Sequence, residues 1–191
     1  MTTLTTNRRH VLTAGGLIFL LATAAIGADP APQTVDVGGA TFQAPAAWKS
    51  TKPASPMRKA QLKVDAAKGD DEGAELIVFV FPGGAGSVES NIQRWEKTFK
   101  NKDGNSPKAS VKKVKGNNTE VNRVEVAGHY YPTAFPGQPK QPDHDNYRLL
   151  GAIVTTDDAG YFLRLVGPEK TVSEARNDFD KLIESIKVDG K

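Results

Sequence analysis

The chain has no cysteine, and its 191 residues hold only two methionines, two tryptophans and three histidines. Without cysteine there are no disulfides, no thiol nucleophile, no cysteine-ligated zinc and no lipid on an N-terminal cysteine. Stability must come from the core, and a chain this long buries about two thirds of its unfolded surface. Common catalytic motifs are missing too. Ser87 has Ala85 and Glu89 where a nucleophile elbow has glycines. The glycine-rich stretch Pro82 to Ser87, with Gly83, Gly84 and Gly86, leads from a strand into a helix, where free amides could hold an anion. It lacks the lysine of a phosphate loop and the third glycine of a dinucleotide turn, so it reads as a tight strand-to-helix connection. A serine triad would need His129 or His144 as base, and neither stands in a catalytic context. The pairs Asp70-Asp71 and Asp157-Asp158 fall in predicted turns open to water, where carboxylates are hard to tune. These absences point away from an enzyme.

No strongly apolar run reaches the roughly 20 residues of a membrane span. The stretch Val11 to Ile26 is interrupted by Thr13, Gly15, Gly16 and Thr23; with Arg8 and Arg9 before it and Gly27 and Ala28 after it, residues 1–28 read as a cleavable secretory signal. The paired arginines loosely resemble a twin-arginine signal. Cleavage after Ala28 places the mature chain in the periplasm or outside the cell, with no stable membrane span. Residues 1–28 carry Arg8 and Arg9 and no acid, so the formal net charge of +3 falls by two to +1. A nearly neutral chain has no field that draws it onto nucleic acid. Lys108, Lys112, Lys113 and Lys115 cluster without interleaved aromatics, as on a strand edge protected by charge.

Residues 29–34 read as a short proline- and alanine-rich tether, and residues 35–191 as one domain. Val35, Val37, Gly38-Gly39, Thr41 and Phe42 predict a hairpin, and Met57 to Val64 a strand. Leu76 to Phe81 is an unbroken apolar run, too short for a helix and rich in strand formers, so it must be covered on both faces. Leu149 to Val154 and Tyr161 to Val166 are similar, joined by a turn at Asp157, Asp158 and Gly160. Val111 to Val114 and Val121 to Tyr130 read as a hairpin around Gly116-Asn117-Asn118. One helix carries Val88, Ile92, Trp95 and Phe99 on a stripe, with Ser87 as N-cap and Glu96 four before Lys100. A second runs from Val172 to about Ile186, capped by Thr171 with Glu174 three residues on, burying Val172, Ala175, Phe179, Leu182, Ile183 and Ile186. The pattern predicts an α/β (α+β) fold: a mainly antiparallel sheet between helices.

Phe42-Gln43-Ala44-Pro45 with Trp48, the strand Leu76 to Phe81, the helix after it and the closing helix Phe179 to Ile186, ending Glu-Ser-Ile, resemble the PsbP-like fold family over about residues 35–188. That family is shared by extrinsic proteins of photosystem II and Ran-binding import factors. Asn91-Ile92, Arg94-Trp95, the Phe-Pro-Gly-Gly turn and Asn146 to Ile153 are nearer to secreted bacterial proteins of unknown function. The resemblance implies an α/β/α sandwich that binds or assembles without catalysis. It carries over no ligand residues.

The long loop Tyr131 to Asp145 is the place to look for function. Tyr130, Tyr131 and Phe135, set among prolines, form a candidate partner surface for an envelope protein or component. No cofactor is required, but Asp143-His144-Asp145, with His129, gathers ligand types suited to a divalent metal. The expectation is an exported non-catalytic binding or assembly module, with a metal-binding protein and then an envelope hydrolase as alternatives.

Overall fold

A computed structural model of the chain describes Met1, residues 30–132 and residues 142–190. The expected signal sequence and Phe135 lie outside the described residues. The chain runs through β1 (Gln33–Asp36), β2 (Ala40–Ala44), β3 (Lys49–Ser50), β4 (Arg58–Val64) and β5 (Ala74–Pro82) into helix α1 (Val88–Glu96). Next come β6 (Phe99–Lys100), β7 (Ser110–Lys115), β8 (Glu120–Tyr130), β9 (His144–Thr155) and β10 (Ala159–Pro168). Helices α2 (Glu169–Glu174) and α3 (Arg176–Glu184) precede the last strand, β11 (Lys187–Val188).

The larger sheet has the order β3-β4-β5-β10-β9-β8-β6, with β7 also paired to β8, and every pairing in it is antiparallel. The smaller sheet, β1-β2-β11, is antiparallel as well. Alternation along the central strands feeds two cores, as a pleated strand requires. Leu76 and Val78 of β5 and Leu150, Ala152 and Val154 of β9 face α2, α3 and the smaller sheet. Leu149 and Ile153 of β9 and Phe162 of β10 face α1 and β6. Gly151 sits between them because an added Cβ would lie 2.2 Å from Cζ3 of Trp95, whose indole covers that glycine. The α+β architecture with helices on both faces is therefore the one expected.

Several local expectations give way to tertiary structure. Helix α1 does start with Ser87, whose hydroxyl accepts from the Ser90 amide, but it ends at Glu96. Phe99 is not on its stripe; it belongs to β6, pairs with Tyr130 and is fully buried. Glu96 does not reach Lys100: it accepts from the Ala109 amide at 2.9 Å and from Lys108 at 3.3 Å. The expected closing helix is two, broken at Ala175, although all six expected core residues are buried. Thr171 lies inside α2 and is no cap; its hydroxyl donates to Asp70 at 2.7 Å and accepts from the Ala67 amide. Chain-distant groups thus took the hydrogen bonds that local pattern assigned to neighbours.

One ion cluster ties β8, β9 and α3 together. Glu125 is bonded by Arg176 at 2.6 Å, by Arg123 at 3.1 Å and by Arg148. Arg123 continues to Asp180 at 2.6 Å, and Arg148 to Glu169. Burial pushes the Glu125 carboxyl up, but hydrogen bonds and charge from Arg176, Arg123 and Arg148 outweigh it and lower its pKa to about 2. Glu125→Gln should lower stability by roughly 3 kcal/mol, because three guanidinium groups lose their shared counter-charge. A folded pKa below the ordinary carboxylate value means that this contribution is complete above about pH 4.5 and is lost as pH falls toward 2. Acid-unfolding curves should therefore differ most at neutral pH and converge on acidification. Separately, Gly151→Ala should cost roughly 1–3 kcal/mol in denaturant melts through overpacking against Trp95; an unchanged midpoint would contradict the close approach.

Candidate functional site

The end of the sheet where β8 stops and β9 begins gathers a cluster of ring systems. Tyr130 stacks on Tyr147 with ring centroids 5.7 Å apart and planes 5° from parallel, and Phe99 backs Tyr130 at 5.0 Å. His144 lies on Tyr147 at 4.4 Å. Residues three apart on a regular strand face opposite sides, yet these two share one. The reason is Asn146, whose φ of 54° is left-handed, a conformation asparagine tolerates better than most residues. Glu72, in the loop before β5, joins the pair by accepting from the Tyr147 hydroxyl and lying 3.2 Å from His144 Nδ1.

Arg164 of β10 extends the array inward. Its Nη2 donates to the Tyr130 hydroxyl at 3.3 Å, and its guanidinium lies 6.0 Å from the Trp95 ring centroid. The result is a continuous chain of contacts through Trp95, Arg164, Tyr130, Tyr147, His144 and Glu72, in which Trp95 and Tyr147 are buried. Burial raises the Tyr147 pKa, and the Glu72 hydrogen bond and charge raise it further, so the phenol stays protonated as a donor. Within the array the rings stack on one another and the Tyr147 phenol donates to Glu72.

The sequence-derived candidates fall into two groups here. His144 and Asp145 lie on β9 and not in a loop, since β9 begins at His144 opposite Tyr130. Asp145 Oδ1 lies 2.5 Å from His129 Nδ1, while His144 turns to Glu72. Asp143, His144, Asp145 and His129 are therefore not gathered round one point. Among the described residues no group of three or more histidine, aspartate or glutamate side chains stands close enough to hold an ion. Tyr130 is half-buried in the stack; Tyr131 is 39% exposed, its ring 4.5 Å from that of His129. Sequence reasoning missed Glu72, Tyr147 and Arg164. Arg164 carried a signal, since it is the one charge in Tyr161 to Val166; Glu72 carried none, because only the fold brings it across.

No family model matches the chain, and no curated protein matches it. Among solved structures it is similar to a crystal structure from Bacteroides thetaiotaomicron, with a TM-score of 0.48 and 11% identity over 86% of this chain and 51% of that one. It is also similar to the solution structure of cyanobacterial PsbP (CyanoP) from Synechocystis, with a TM-score of 0.47 and 16% identity over 86% of this chain and 95% of that one. The chain spans about half the length of the Bacteroides protein. PsbP, whose family the sequence resembles, is thus among the structures it matches. No activity, ligand or partner follows from likeness of this degree.

The tyrosines offer a direct check on the site. Burial also raises Tyr161, with Asp189 and Asp158 adding to it. In an alkaline absorbance titration, Tyr147 and Tyr161 should ionise above the ordinary value of 10.0. Tyr147→Phe should remove one late-ionising phenol and leave the other. Because the folded pKa is raised, the stability that Tyr147 contributes is complete below about pH 10 and is lost as pH climbs past it. An alkaline titration unchanged by the substitution would mean that Tyr147 does not hold its proton through burial and Glu72.

Proposed function

We propose that the protein is an exported, non-catalytic binding module whose contact surface is the sheet end at Tyr131, His129 and the Tyr130–Tyr147–His144 stack. The observation that carries this is Tyr131, a large ring held out to solvent. Its amide donates to the Thr98 carbonyl at 2.8 Å, so the backbone behind it is fixed, and its ring rests on His129. A rigid exposed aromatic at the edge of a stacked, hydrogen-bonding surface has the composition of a contact hot spot. The partner is an envelope protein or component, reached after the signal at residues 1–28 is removed. Among the described residues no helix is long and apolar enough to cross a membrane.

A photo-reactive phenylalanine analogue at position 131, in cells making the full chain, should give one discrete cross-linked product. The same analogue at Lys63, exposed on β4, should give none. Equal or absent products at both positions would reject the surface. The secreted protein should begin at Asp29 by intact mass, and a product still carrying Met1 would reject export by cleavage.

A further inference from the structure

We infer that Arg164 anchors a binding site for a carboxylate carried on an aliphatic chain. Five arginines of the described residues are at least partly buried, and four of them face carboxylates: Arg58 faces Glu75, Arg123 faces Glu125 and Asp180, Arg148 faces Glu125 and Glu169, and Arg176 faces Glu125. Arg164 faces none. Its Nε, like that of Arg148, is buried without an acceptor, but unlike Arg148 it has no carboxylate on its other nitrogens, and its one hydrogen bond within the described residues is the donation to Tyr130. Taking a guanidinium from water with no counter-charge costs more than a cation–π contact at 6.0 Å and one neutral hydrogen bond return. A fold that pairs its other enclosed arginines leaves this one free to take a counter-ion from outside.

The surroundings select the kind of anion. In register beside Arg164 stand Gly151, covered by Trp95, and Ile77 of β5. Beyond Ile77 on the same face come Phe79 and Phe81, nearly parallel at 6.3 Å, and Val166 follows on β10. All four of these apolar side chains are only half-buried. Glu75, on the other side of Ile77, is occupied by Gln61 at 2.6 Å and by Arg58, so it does not compete for Arg164. A planar, singly charged carboxylate fits one guanidinium fork, and the apolar floor disfavours the heavily hydrated phosphate dianion. The head then lies between Trp95 and the Tyr130 hydroxyl, and the chain runs over Ile77, Phe79 and Phe81. This site shares Tyr130 with the stack of the proposed contact surface but does not use Tyr131 or His129, and it does not depend on that reading.

Trp95 reports on the site directly, while Trp48 is buried in the opposite core. Titrating the purified protein with sodium octanoate should give a saturable change in tryptophan fluorescence. Sodium acetate and 1-octanol at equal concentration should give none, since each lacks one half of the ligand. In Arg164→Met the octanoate affinity should fall by about tenfold or more, as expected for a lost charge-assisted fork. If that variant does not fold, Arg164→Lys keeps the charge without the fork and should bind about threefold or more weakly. The inference is overturned by no saturable response in the unsubstituted protein, by an equal response to octanol, or by unchanged affinity in whichever folded variant is measured.

Discussion

Among the described residues three short helices, of nine, six and nine residues, must cover both faces of an eight-stranded sheet. Their area does not suffice, and most of the molecule's individual features answer that shortage. On one face α2 and α3 are supplemented by the small sheet β1-β2-β11, and together they bury Leu76, Val78, Leu150, Leu163, Leu165 and Phe179 almost completely. On the other face α1 works nearly alone. It closes over β9 only because Gly151 lets the Trp95 indole rest on the strand. Over β5 the described helices do not reach, and Ile77, Phe79 and Phe81 are half-buried.

The charged groups divide along the same line. On the well-covered face every enclosed arginine meets a carboxylate, and Glu125 is held ionised by three of them against the burial that opposes it. A cluster of that kind rigidifies the join between sheet and α3, since removing any member strands the others. On the thinly covered face Arg164 has aromatic neighbours and, among the described residues, no acid paired with it. On that same face Arg58 does meet Glu75, so Arg164 is the exception among the enclosed arginines of the described residues.

Much of this was legible in the chain. The apolar runs at Leu76 to Phe81, Leu149 to Val154 and Tyr161 to Val166 are the central strands, because continuous hydrophobicity over about six residues has few other solutions. The Val35 to Phe42 hairpin and the Ser87 cap were legible for the same reason: turn and cap chemistry acts within four residues. The errors begin where contacts are long-range. Phe99 fits a helical stripe by spacing, but burying it against Tyr130 in β6 outweighed one more helical turn. Thr171 fits a cap by sequence, but Asp70, a hundred residues earlier in the chain, took its hydroxyl. His144 was assigned to a loop because prolines precede it, yet strand pairing with Tyr130 reached it first.

By itself, then, the sequence determined the strand and helix content, the two-sided burial of the central strands and the absence of cysteine chemistry, all of which follow from local periodicity and composition. Only the tertiary structure decided which polar groups meet. It set Glu72 against Tyr147 and His144, paired His129 with Asp145 instead of with His144, and among the described residues left Arg164 without a carboxylate. A side chain's counter-charge depends on strand order and on a single left-handed residue at Asn146, and neither is written in the spacing of residues along the chain.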